Sequence, residues 1–204
     1  ERIYTEDALK YLGLPTAPSC TDVTQQLEHC CFSYFPLQAV CPTLHEMFDL
    51  RKVLGLRSPV HTLARLLNPA NAPAVMQGIF HPGYRPVHQL AAQSLGYKRV
   101  AVIKGEAGET ERNPDSECLV QSVINGELHD EVWPAMFAER HLKEEDLDLS
   151  RWRAVWRGET HEYGEAAVIG TLAIALQALG KTENREAAEA LAARWWSDRN
   201  RAAF

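Results

Sequence analysis

The sequence predicts an α/β fold, with a mixed, largely parallel central sheet flanked by helices. Three observations carry that expectation. Val75 to Phe80 and Arg99 to Ile103 are short apolar runs separated by an amphipathic stretch, Tyr84 to Leu95, that stops at Gly96; strand, helix, strand at this spacing is a right-handed parallel crossover. Leu119 to Ile124 and Glu127 to Val132 flank Asn125-Gly126, a pair that accepts the positive φ angles of a tight hairpin turn and so makes the sheet mixed. Tyr163 to Leu179 is apolar nearly all round, with acidic residues in its first turns and Gly180 at its end, as expected of a helix buried under a sheet.

The other elements follow in order. Thr5 to Leu12 reads as a helix closed by Gly13, and Thr21 to His29 as one opened by a threonine cap. After the apolar run Cys31 to Phe35, a helix is expected from Thr43 to Leu54, with Leu44, Met47, Phe48 and Leu54 on one side and Gly55 as its stop. Ser58-Pro59 supplies a cap and a proline at the first helical position, opening Val60 to Leu67. Trp133 to Gly158 reads as irregular, with an acidic patch (Glu144, Glu145, Asp146, Asp148) and the pair Trp152 and Trp156, and Asn184 to Arg199 as an amphipathic helix. No repeat, low-complexity run or linker divides residues 1–204, so a single α/β domain is expected.

At 204 residues, 46% hydrophobic and 24% charged, the chain can build a core without metals or disulfides. The five cysteines have no C-x-x-C or zinc spacing, which points to reduced, mostly buried thiols and a cytoplasmic setting. The most apolar stretch is too short for a bilayer, so no membrane is expected as a partner. The chain starts at Glu1 rather than Met, as a processed or truncated piece would.

The net charge of −6 hides a segregated pattern. Residues 1–50 hold two basic and seven acidic side chains, residues 51–104 hold eight basic and no acidic ones, and the remainder holds eleven basic and twenty acidic. The middle block (Arg51, Lys52, Arg57, Arg65, Arg85, Lys98, Arg99, Lys104) either gathers into a face that attracts phosphate or scatters over several faces. Ser58 to Thr62, a helix start beside Arg57, is one candidate anion site. The loop Gly105 to Glu111, at a strand's carboxyl end, is another kind of candidate: Glu106, Glu109 and Glu111 offer the hard oxygen donors that magnesium takes beside a diphosphate, although a plain solvated turn has the same composition. A Walker-type loop and a G-x-G-x-x-G run are absent, and no residue can be assigned to catalysis from these patterns.

Arg51-Lys52-Val53-Leu54-Gly55-Leu56-Arg57-Ser58, then Leu66-Leu67-Asn68-Pro69-Ala70, form a recognisable order. It resembles the anthranilate phosphoribosyltransferases of glycosyltransferase family three, whose members carry R-x-x-L-G-x-R-T and then G-P-L-x-N-P-A. The likeness continues through Gln77-Gly78, Leu95-Gly96, the strand Arg99 to Ile103 and the loop after it, and upstream through Ala8 to Gly13. The resemblance implies transfer of phosphoribosyl from phosphoribosyl diphosphate to an aromatic or heterocyclic amine such as anthranilate, with Mg2+, in a protein that is a homodimer when full length. It implies substrate contacts from Arg51, Arg57, Ser58 and Asn68, and metal contacts from Glu111 and Glu109.

Departures accompany the likeness. Thr110 stands where the family has the Asp of its Asp-Glu magnesium pair, Ala64-Arg65 replaces Gly-Pro, and His61 replaces an Asn. The glycine-rich diphosphate loop and the small helical domain have no counterpart here, so the chain looks like the carboxyl-terminal two-thirds of such a protein. His61-Thr62 and Arg65 are similar to a divergent branch of the family, some of whose members bind DNA without sequence preference. The alternative function is accordingly sequence-independent binding of DNA or RNA, with Arg65, Lys98, Arg99 and Lys104 as phosphate contacts.

Overall fold

A computed structural model describes residues 3–55, 59–142 and 148–203. In chain order the elements are α1 (Thr5–Leu12), α2 (Cys20–Cys30), α3 (Leu37–Val40), α4 (Pro42–Leu54), α5 (Val60–Leu63), β1 (Val75–Ile79), α6 (Arg85–Ser94), β2 (Arg99–Lys104), β3 (Cys118–Ile124), β4 (Glu127–Trp133), α7 (Leu149–Arg157), α8 (Glu162–Ala178) and α9 (Arg185–Ser197). Where composition suggested one domain, the contacts divide the chain into two compact units, one of Glu1–Pro69, Glu144–Arg157 and Ala202–Phe204, the other of Ala70–Lys143 and Gly158–Arg201.

The first unit is helical. Gly13 closes α1 and Gly55 closes α4, each with a left-handed φ that a β-carbon would disfavour. The cap of α2 is Ser19, whose hydroxyl accepts from the Asp22 amide, so this helix starts before Thr21. The helix expected over residues 60–67 is a four-residue helix, α5, continued by a 3₁₀ turn over Ala64–Leu66, and the chain is already extended at Leu67. The helix α7 corrects the reading of 133–158 as irregular throughout. Asp148 accepts from both the amide and the hydroxyl of Ser150 at 2.8 and 2.7 Å, a capping arrangement that starts the helix. Arg153 then donates to the Tyr11 carbonyl at 2.7 Å and lies over the Tyr11 ring, joining α7 to α1.

The second unit holds the sheet, in the order β1-β2-β3-β4. β1 pairs with β2 in parallel, and β2 with β3 and β3 with β4 antiparallel, so the mixed α/β class stands while the parallel share is one pairing of the three among the described residues. Asn125 and Gly126 take φ of 53° and 88° at the hairpin, as the type I′ turn requires. Both faces of the sheet are covered. Val100, Val102 and Val123 pack with Ala92 of α6 on one side. Ala101, Ile103, Val120 and Trp133 pack with Ala173, Ile174 and Leu176 of α8 and with Ala188 and Ala192 of α9 on the other. Asn184 caps α9 by accepting from the Ala187 amide.

The cysteine expectation changes. All five thiols are free, but only Cys118 is buried, while Cys20, Cys30 and Cys31 are exposed on and after α2. No helix among the described residues is long and apolar enough to cross a membrane.

One charged side chain is locked into the second unit's interior. The Arg112 side chain is fully buried. It donates to Glu189 of α9 at 3.0 Å and to the Pro134 carbonyl at 2.7 Å, and lies 5.0 Å from the centre of the Trp133 ring. Breaking a buried pair costs about 3 to 5 kcal/mol where it strands the partner; Glu189 keeps Arg185 at 3.2 Å and some contact with solvent, so Arg112→Leu is expected to lower unfolding stability by less, about 2 kcal/mol, in urea titrations.

Candidate functional site

The segment 105–112 crosses the carboxyl ends of the parallel pair β1 and β2. It begins where the Gly105 amide donates to the Ile79 carbonyl at 3.0 Å, and turns through Glu106–Gly108 with Gly108 and Glu109 amides bonded back to Gly105 and Glu106. A β-carbon on Gly105 would stand 1.8 Å from the Glu109 carbonyl oxygen, and one on Gly78 would stand 2.4 Å from the same carbonyl group. The glycine at 105 therefore serves the loop's own backbone, letting it lie flat on the strand ends. Ala107 holds a left-handed φ of 54°, a conformation an alanine rarely adopts unless its surroundings fix it.

The far end of the loop is pinned by Arg112. Its amide donates to the Thr171 hydroxyl of α8 at 2.9 Å, and its side chain passes so close to Gly170 that a β-carbon there would stand 2.7 Å from Arg112 Cδ. Between the two anchors Glu106, Glu109 and Glu111 are presented together. Glu111 has an exposed surface, yet desolvation of its carboxyl, followed by the charges of Glu106 and Glu109, pushes its pKa above the ordinary carboxylate value. Burial, then Glu111, Asp115 and Glu106, push the Tyr163 phenol at the start of α8 up to about 12.

Excess negative charge of this kind suits a hard cation. Glu106, Glu109 and Glu111 are the loop's carboxylates that such a cation would face, and Thr110 adds no charge. No group of three His, Cys, Asp or Glu side chains is drawn together tightly enough to form a complete metal cage among the described residues. The remaining ligands would have to come from water and a bound anion, the usual pattern for magnesium.

The basic residues separate. Lys104 ends β2 and is exposed beside the loop, whereas Lys98 and Arg99 stand just before and at the start of the same strand, about 17 to 20 Å away at 3.3 Å per residue. Arg99 is also engaged elsewhere: its guanidinium reaches the Ala178 carbonyl and covers Gly180 at the end of α8, a position where a cation complements the helix dipole. Lys98, Arg99 and Lys104 therefore do not form one phosphate-tracking row. In the first unit, Arg51 lies in the last turn of α4 and is exposed. Arg65 donates to the His61 carbonyl at 2.6 Å, and His61 stacks 4.2 Å from Phe48. Asn68 follows the 3₁₀ turn. Arg57 and Ser58 lie outside the described residues, and so does the helix-start anion site built on them.

Sequence reading passed over Asp115, His141 and Tyr163. The Asp115 carboxylate accepts from the His141 ring Nδ1 at 2.7 Å and from the His141 amide at 2.9 Å. The partners are 26 residues apart, with no spacing signal to join them.

No protein-family model matches the chain. Over 151 residues it is 30% identical to the anthranilate phosphoribosyltransferase of Xanthomonas axonopodis pv. citri (strain 306), a match covering 71% of this chain and 44% of that protein. The anthranilate phosphoribosyltransferase of Paracidovorax citrulli (strain AAC00-1) is 34% identical over 126 residues, covering 58% of this chain and 36% of the relative. Among solved structures, the anthranilate phosphoribosyltransferase of Thermus thermophilus superposes with a TM-score of 0.63 at 25% identity, over 79% of this chain and 50% of that one. A Saccharomyces cerevisiae anthranilate phosphoribosyltransferase variant with magnesium bound shares the fold, at a TM-score of 0.65 and 17% identity, over 86% of this chain and 53% of that one. The chain thus spans about half the length of the relatives it matches.

The raised pKa of Glu111 makes stability depend on pH. A folded-state value above the unfolded one means that ionising Glu111 costs stability: the penalty is absent below the unfolded pKa and grows as pH rises through the folded one. Glu111→Gln removes that penalty. Thermal unfolding should therefore show the variant more stable than the wild type at about pH 7.5, with the difference vanishing toward about pH 4.

Proposed function

We propose that this chain, a homologue of the anthranilate phosphoribosyltransferases across the part of them it spans, belongs to a protein that transfers phosphoribosyl from phosphoribosyl diphosphate to an aromatic amine of the anthranilate kind. The observation that carries the reading is the carboxylate loop pinned over the ends of β1 and β2, with Glu111 perturbed by desolvation and by the like charges beside it. Hard oxygen donors crowded by like charge fit Mg2+, and the yeast relative has magnesium bound. Bound there beside a diphosphate, magnesium would supply charge compensation for the leaving group.

The roles of the chain's own residues follow. Glu111 and Glu109 hold the cation side of the site, and Lys104, beside the loop, offers a charge to diphosphate. Arg51 is the residue for the carboxylate of the aromatic acceptor, through the two-pronged geometry that a guanidinium offers. Asn68, with Arg57 and Ser58, completes the substrate contacts. The acceptor nitrogen forms its bond to the ribose carbon as the bond to diphosphate breaks, so most of the rate comes from holding the partners in line and stabilising charge as it moves to diphosphate. Homodimer formation and a cytoplasmic setting belong to the same reading.

Calorimetric titration with phosphoribosyl diphosphate tests it. Binding is expected to strengthen with magnesium, to weaken by about tenfold or more in Glu111→Gln for the loss of a charged ligand, and to strengthen in Thr110→Asp, which adds the missing hard ligand. Absence of binding to the wild type with and without magnesium would remove the reading.

A further inference from the structure

We propose that Asp115 and His141 form a latch that positions the carboxylate loop for its cation and diphosphate, a role that rests on the function proposed above. The latch closes the stretch between Arg112 and the segment leading from β4. The His141 ring Nδ1 donates to Asp115 Oδ1 at 2.7 Å, and the His141 amide donates to Asp115 Oδ2 at 2.9 Å, so both carboxylate oxygens are held by one residue. Two neighbouring bonds brace it: the Asp115 amide donates to Asn113 Oδ1 at 2.8 Å, and the Met136 amide donates to the Pro114 carbonyl at 2.7 Å.

The histidine is also fixed from its other sides. Its ring stands edge-on to Phe137 at 4.5 Å and to Tyr163 at 5.7 Å, and Nε2 lies 3.8 Å from Glu162. His141 thus ties the loop's exit to the first turn of α8, whose Tyr163 feels the charges of Glu111 and Glu106. The hydrogen bond to Asp115 and the charges of Asp115 and Glu162 hold the imidazole pKa above its ordinary value. Burial raises the Asp115 carboxyl, but the His141 bonds and charge, with Arg140, outweigh it and hold the pKa low. Both shifts favour the ion-paired form of the latch.

Geometry explains why such a tie is needed. Arg112 fixes one residue of the loop's exit, while Glu111 precedes it and Asn113 to Asp115 follow it. The Arg112 amide and the Pro114 carbonyl are each held by a single bond to the chain around them, and neither fixes the Asp115 side of the exit. The two bonds from His141 to the Asp115 carboxylate add a tie three residues after Arg112 that restrains the direction in which the exit leaves α8, and so the direction from which Glu111 is presented. Asp115 and His141 are positioning residues, touching neither substrate nor reacting atoms.

Hydrogen–deuterium exchange of wild type, His141→Ala and His141→Asn tests the latch, since an asparagine amide can replace the Nδ1–H donor. Amides over 109–115 are expected to exchange about tenfold faster in His141→Ala, the worth of one charge-assisted hydrogen bond, and to return toward wild type in His141→Asn. Magnesium-dependent binding of inorganic diphosphate, followed by calorimetry on the same proteins, is expected to weaken and recover in step. Unchanged exchange in His141→Ala overturns the latch, as does equal loosening in His141→Asn, which would assign the effect to ring packing on Phe137 and Tyr163. Loosening without a change in affinity overturns the positioning role. A wild type that binds no diphosphate removes the proposed function instead, and the exchange comparison still decides the latch.

Discussion

The second unit depends on burying a full positive charge at Arg112. Its guanidinium has exchanged water for Glu189, the Pro134 carbonyl and the face of Trp133, and its amide is bonded to Thr171. Such a group is expensive to desolvate, and here its two terminal nitrogens are met while Nε is left without a hydrogen-bond partner among the described residues. Meeting them ties together the end of β4, the helices α8 and α9, and the loop that follows β2. The residue before this anchor is Glu111, so the energetics of the core reach directly into the presentation of the candidate metal ligand.

The loop is held in its unusual path by the fold around it. Gly78 and Gly105 let its backbone lie against the strand ends, and Ala107 accepts a left-handed conformation to make the turn. The three carboxylates are then close enough to act on one another, and Glu111 is perturbed first by desolvation and then by the like charges of Glu106 and Glu109. A folded protein that keeps a carboxylate in such surroundings gives up stability there, a pattern expected where a ligand supplies the missing charge. Asp115 and His141 carry the same restraint one step further along the chain.

Much of this framework was legible from local rules. Asn125-Gly126 named its hairpin because only a few residues accept two positive φ angles in succession, and the uniform apolarity of 163–179 named a helix covered on most sides. Local rules failed where side chains made the decision. Asp148 starts α7 by capping Ser150, and Ser19 moves the start of α2 ahead of the threonine chosen for it. At the site, the glutamates were readable because they are neighbours in sequence, and the order of motifs identified the relatives. Arg112 was not readable, since a charged residue in a polar loop gives no sign that folding will enclose it. The basic block misled for a related reason: Lys98, Arg99 and Lys104 are close in sequence, but a strand carries them to opposite ends of the sheet.

If the loop from Gly105 to Arg112 is built to receive a divalent cation together with diphosphate, the cation can be located directly. Manganese is a suitable stand-in for magnesium because it takes the same oxygen ligands and scatters anomalously. A crystal of the chain soaked with manganese and inorganic diphosphate should show an anomalous peak on the carboxylates of Glu111 and Glu109, with diphosphate oxygens completing its coordination. A peak elsewhere, or none with diphosphate bound, would contradict the account.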